Sequence, residues 1–86
     1  MKFTVLMEDG NFLEIYNVDD IQESYREITD ENGKVIEEVK EQLVFKSKED
    51  DTLLYEYRNS KNNQILTSRA KRIVIPYNKY VIIQGK

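Results

Sequence analysis

The chain has no cysteine and no histidine, one proline and three glycines in 86 residues. Without cysteine there is no disulfide, no thiolate nucleophile and no cysteine-based metal site, and the chain suits a reducing compartment. Without histidine there is no Ser-His or Cys-His nucleophilic pair, no imidazole-bound zinc and no side chain that ordinarily exchanges protons near neutrality. Three glycines leave no room for a Gly-x-Gly-x-x-Gly loop, and no P-loop or EF-hand pattern is present. Long apolar runs are missing too. The longest near the N-terminus, Phe3 to Met7, stops at Glu8-Asp9, which is too short for a signal-peptide core or a membrane span. These absences lead to the expectation of a cytoplasmic, non-enzymatic protein with no cofactor, no bound metal and no membrane partner.

What remains is globular material. Hydrophobic residues make up 40% of the chain and charged residues 34%, a balance that can support a core. The length predicts a single β-rich domain spanning residues 1–86, burying about 60–65% of its unfolded surface. Lysine, isoleucine, asparagine and tyrosine are plentiful, whereas alanine, proline, glycine and arginine are scarce. The first group has A/T-rich codons and the second G/C-rich ones, which points to an A/T-rich genome such as that of a low-GC bacterium or its phage.

Turn signals divide the chain into short apolar segments. Asp9-Gly10 separates Lys2–Met7 from Asn11–Tyr16, and Asn32-Gly33 closes a second candidate hairpin; glycine supplies the positive φ that such turns require. Gln42–Ser47, Thr52–Arg58 and Gln64–Ser68 alternate like strands around polar turns. Ile73–Ile75 and Tyr80–Ile83 flank a turn at Pro76–Lys79. The spacing predicts an antiparallel meander, small barrel or sandwich, either all-β or β-rich α+β. Its expected core is Phe3, Val5, Leu13, Ile15, Ile28, Leu43, Phe45, Leu53, Tyr55, Ile73, Ile75, Ile82 and Ile83.

Residues 18–44 support two readings. Val18, Ile21, Tyr25 and Ile28 recur at helical spacing, giving one short helix near residues 18–28 with Asp20 and Glu23 as a capping box. The favoured alternative is a long hairpin, Gln22–Thr29 against Lys34–Val39, closed by Asn-Gly and bringing Arg26 near Glu37.

Carboxylates are the only chemistry-bearing groups left. Asp19-Asp20 and Glu49-Asp50-Asp51 lack the ligand spacing of a calcium loop and read as solvated turn residues. Charge placement says more. Twelve of the 16 acidic side chains precede Val44, nine of the 13 basic ones follow Leu43, and no acid follows Glu56. Three interpretations compete. The halves can neutralise each other within a monomer or across a homodimer. An acidic surface drawn from Glu8, Asp9, Asp19, Asp20, Glu23, Glu27, Glu37, Glu38 and Glu41 can steer the chain onto a basic partner protein. A basic surface of Arg58, Arg69, Lys71, Arg72 and Lys79, with Tyr77 and Tyr80 as stacking groups, can bind nucleic acid. The expected function is a protein-binding module of phage or mobile-element type that inhibits a host defence or host machinery protein. The alternatives are a small nucleic-acid-binding barrel and a phage structural subunit.

Overall fold

A computed structural model describes residues 1–85. They form eight strands: β1 (Phe3–Met7), β2 (Phe12–Tyr16), β3 (Asp20–Thr29), β4 (Val35–Lys46), β5 (Leu53–Arg58), β6 (Ile65–Ala70), β7 (Arg72–Pro76) and β8 (Tyr80–Gly85). The sole helical element among these residues is a single 3-10 turn at Tyr77–Lys79. All pairings are antiparallel, in a five-stranded sheet of order β6-β5-β2-β1-β8 and a three-stranded sheet of order β3-β4-β7.

The turns form where glycine or asparagine permits a left-handed residue. Gly10 (φ +86°) closes β1–β2, and Gly33 (φ +80°) closes β3–β4. Asn63 (φ +56°) serves β5–β6, while Asn17 (φ +67°) and Asp50 (φ +63°) stand where the chain crosses between sheets; Asn and Asp tolerate this region better than other side chains. Asn17 also donates to the Asp51 carboxylate at 2.9 Å, which joins the two crossings.

Between the sheets lies one apolar core: Val5, Leu13, Ile15, Val18, Leu43, Phe45, Leu53 and Ile75. Phe45 is fully buried and meets Phe3 edge-on at 5.7 Å. The sequence reading holds for most of this set, with three corrections. Val18, only 2% exposed, belongs to the core. Its backbone exchanges hydrogen bonds with Met1 on entry to β3, so it is a crossing residue rather than part of an alternating strand. Ile82 is 51% exposed, because Ile83 faces inward opposite Val5 and the pleat turns its neighbour outward. Ile28 lies outside the core cluster, on a part of β3 that no second sheet covers.

The helical reading of residues 18–28 gives way to β3. β3 pairs with β4 along its whole length, from Asp20–Lys46 to Thr29–Val35, and the apolar spacing at three and four places only Ile21 of this segment against the core cluster, beside Val18. The hairpin register also differs from the expected one. Bulges at Ser24/Tyr25 and Ile28/Thr29 set Arg26 opposite Val39 and Glu37 opposite Ile28, and Arg26 and Glu37 form no ion pair. Finally, Lys34–Val39 and Gln42–Ser47 are not separate strands; β4 runs through both.

Candidate functional site

β4 pairs with β7 only from Gln42 to Lys46, whereas its pairing with β3 continues to Val35. Beyond residue 41 the β3–β4 hairpin therefore projects as an arm whose two outer edges are unpaired among the described residues. The radius of gyration, 15.4 Å, exceeds the roughly 12 Å of a compact chain this long. The longest dimension is 50 Å. Along the arm, Tyr25, Val35 and Ile36 are exposed, Ile36 at 64%. Residues 23–41 carry seven carboxylates against three cations.

A polar cluster fixes the arm at its base. Glu23 accepts a hydrogen bond from the Tyr25 hydroxyl and pairs with Lys40 at 3.7 Å. The Tyr25 hydroxyl, helped by Lys40, holds the Glu23 carboxyl below the usual carboxylate range. Tyr77 packs from the 3-10 turn, with Lys40 5.8 Å from its ring centre. Burial, reinforced by the Glu23 charge, pushes the Tyr77 phenol up to about 12. Its hydroxyl is buried without a hydrogen-bond partner.

The nine acidic candidates thus divide. Glu27, Glu37, Glu38 and Glu41 stand exposed on the arm, with Glu23 at its base. Glu8 is paired with Lys79 at 3.3 Å. Asp9 is structural: it accepts from the Asn11 N–H (2.9 Å) and the Tyr57 hydroxyl (3.1 Å), and these bonds depress its carboxyl. Asp19 and Asp20 sit at the opposite end of β3 from the arm, where Asp20 faces Lys46.

The basic candidates divide as well. Arg69, Lys71 and Arg72 gather at the corner where the chain leaves β6 for β7, all exposed. Arg58 stands at the other end of β5, opposite Ile65. Tyr77 and Tyr80 pack on each other at 5.7 Å, partly buried against the core, so they present no open face for stacking bases. Lys79 is held by Glu8. The seven residues do not form one surface.

The register shows how the charge is distributed. Arg72 faces Lys46, the last residue of β4, and the tip of the arm stands at its first, Val35. The arm tip and the basic corner therefore lie at the two ends of a strand of 12 residues, about 40 Å apart. Among the described residues only three ion pairs form, Lys2–Glu14, Lys40–Glu23 and Lys79–Glu8. The exposed carboxylates toward the arm tip are thus kept apart from the cations of the corner, where Asp20 faces Lys46. No cluster of three or more carboxylates suited to a metal ion occurs among these residues, and no helix is long and apolar enough to cross a membrane.

Two apolar features were not visible in the sequence. One is a groove of about 580 Å³ between β6 and β7, lined by Tyr55, Tyr57, Leu66, Ile73 and Ile75 among others. Leu66 faces the inner side with Tyr57 yet is 63% exposed, because no strand of the smaller sheet covers β6. The other is a row on the outer face of the larger sheet, apolar except at Arg58, where Ile82, Leu6, Phe12, Arg58 and Ile65 lie side by side across all five strands. Neither could be found without knowing which strands pair. Comparison with protein-family models, curated proteins and solved structures finds no match to this chain.

Proposed function

We propose that the chain is a non-catalytic protein-binding module whose working part is the β3–β4 arm. The observation that carries this reading is an extended hairpin, unpaired on both edges, that exposes apolar Tyr25, Val35 and Ile36 among seven carboxylates. A soluble fold has no reason of stability to hold such a surface in water, whereas a docking element needs apolar anchors within a charged rim. The carboxylates favour a basic partner surface and accelerate encounter with it. A small accessory protein of a phage or mobile element, covering the nucleic-acid-binding groove of a host defence or machinery protein, fits this arm and the A/T-biased composition.

The test is affinity capture from bacterial lysate with the full chain and with the quadruple variant Glu27→Gln, Glu37→Gln, Glu38→Gln, Glu41→Gln. A partner retained by the first and released by the second, more readily at high salt, is the expected result. Identical retention by both would overturn the role of the arm.

The basic corner supports a second reading. Arg69, Lys71 and Arg72 are exposed and unpaired, a grouping suited to phosphates. Oligonucleotide binding that vanishes in the triple alanine variant would favour nucleic acid over protein; no shift at low salt eliminates it.

A further inference from the structure

The two sheets fail to cover each other in complementary ways. The larger sheet extends one strand too far, leaving the inner face of β6 and its Leu66 open above β7. The smaller sheet has strands too long for the body, leaving the arm open on both faces. One defect is an apolar groove and the other an apolar, strand-edged projection.

Their charges are complementary too. Arg72 lines the groove as a cation without an ion-pair partner among the described residues, and Arg69 and Lys71 flank it. At its mouth Glu8 and Lys79 neutralise each other, and Asp9 is a lone carboxylate turned to Asn11 and Tyr57. The arm brings Glu27, Glu37 and Glu38 beside Val35, Ile36 and Val39. Both groove-bordering strands have an open edge among the described residues, and so does β4 from Val35 to Glu41. An incoming strand would find unpaired N–H and C=O groups there.

We propose that the groove between β6 and β7 receives the arm of a second copy of this chain, the two copies exchanging arms reciprocally. This rests on the arm being a binding element and names one of its partners. The arm leaves the body beside Pro76 and Tyr77, and Pro76 also lines the groove. Arm base and groove mouth therefore adjoin at Pro76, and a single two-fold axis beside them would repeat the arm-in-groove contact in both directions.

Sedimentation of the full chain at low salt tests the idea. The wild type forms a dimer that weakens as salt rises. Arg69→Glu with Arg72→Glu makes groove and arm both acidic, and Glu37→Lys with Glu38→Lys makes both basic; each double variant loses at least about tenfold in self-association. Mixed together they form a heterodimer of near wild-type strength, because each arm now meets a groove of opposite sign. Leu66→Asp abolishes the dimer without unfolding the chain, as circular dichroism will confirm for this exposed position. A wild type that stays monomeric up to millimolar concentration, a dimer indifferent to these changes, or a mixture that fails to associate overturns the proposal. If the chain is monomeric yet the arm still captures a different protein, only the exchange fails and the binding role of the arm survives.

Discussion

From Leu43 to Lys46, β4 lies between β3 and β7, with Leu43 and Phe45 buried. From Val35 to Lys40 the same strand has β3 on one side and, among the described residues, no strand on the other, and Val35 and Ile36 face water. Hydrogen bonding to β3 continues through both halves; packing does not. Apolar burial, not the backbone ladder, supplies most of the stability of a small sheet. The body should accordingly be sensitive to side-chain size, and the arm should tolerate almost any change that keeps its turn.

The largest effect is expected in the body. Phe45→Ala removes a fully buried ring at the centre of the core and should cost about 3–5 kcal/mol in a urea titration. For a chain this short that approaches the entire stability. A loss below 1 kcal/mol, well under that range, would mean the sandwich core is not what holds the fold.

The two positive-φ glycines sharpen the contrast. An alanine Cβ meets only ordinary contacts at Gly10 and open space at Gly33, so the cost at both is backbone strain, about 1 kcal/mol. Gly10→Ala should lower global stability by that amount. Gly33→Ala strains only the arm tip, which can fray, and should leave the urea midpoint almost unchanged. Equal losses would show that arm and body unfold as one unit.

Tyr77 marks the junction between the regions. Its hydroxyl is buried without a partner, so Tyr77→Phe should leave neutral-pH stability unchanged or raise it by up to about 1 kcal/mol. The folded state holds the phenol proton more tightly than the unfolded chain, with a value of about 12 against 10.0. That contribution is complete below pH 10 and is lost as pH rises toward about 12. The phenylalanine variant should therefore lose less stability over this alkaline range than the wild type. Asp9 and Asp51 behave oppositely: hydrogen bonds, first from the Asn11 N–H and from Asn17 respectively, depress both below 3.8. Their contribution is present above that value and fades as pH falls below it, and Asp9→Asn should flatten the acid limb.

The smallest stability effect belongs to the arm surface. Ile36→Asp should change the unfolding free energy by less than about 0.5 kcal/mol, while amides from residue 24 to 40 exchange faster than those of β1, β2 and β5. Strong protection along the arm would contradict its independence from the body.

Much of the fold could be read locally. Asp9-Gly10 and Asn32-Gly33 named their hairpins, and alternation at Leu13/Ile15 and Leu43/Phe45 named inward faces, because turn chemistry and pleat are properties of neighbouring residues. Ile82 and Ile83 could not be phased this way, since two adjacent isoleucines fit either face until Val5 is found opposite Ile83. The sites were less legible. Glu27, Glu37 and Glu38 were read as acidic surface, but nothing local revealed that they stand on a projection, or that Glu8 and Asp9 are tied down elsewhere.

The order of residues by itself determined an antiparallel β-protein without thiol or imidazole chemistry, acidic early and basic late, since composition and short-range pattern carry that information. Only the tertiary structure decided that β7 stops at Gln42, that β6 lacks a cover and that Glu37 and Glu38 stand on a projection away from Arg69, Lys71 and Arg72. Those are consequences of which strands pair and for how long, a balance of long-range contacts that no window of neighbouring residues contains.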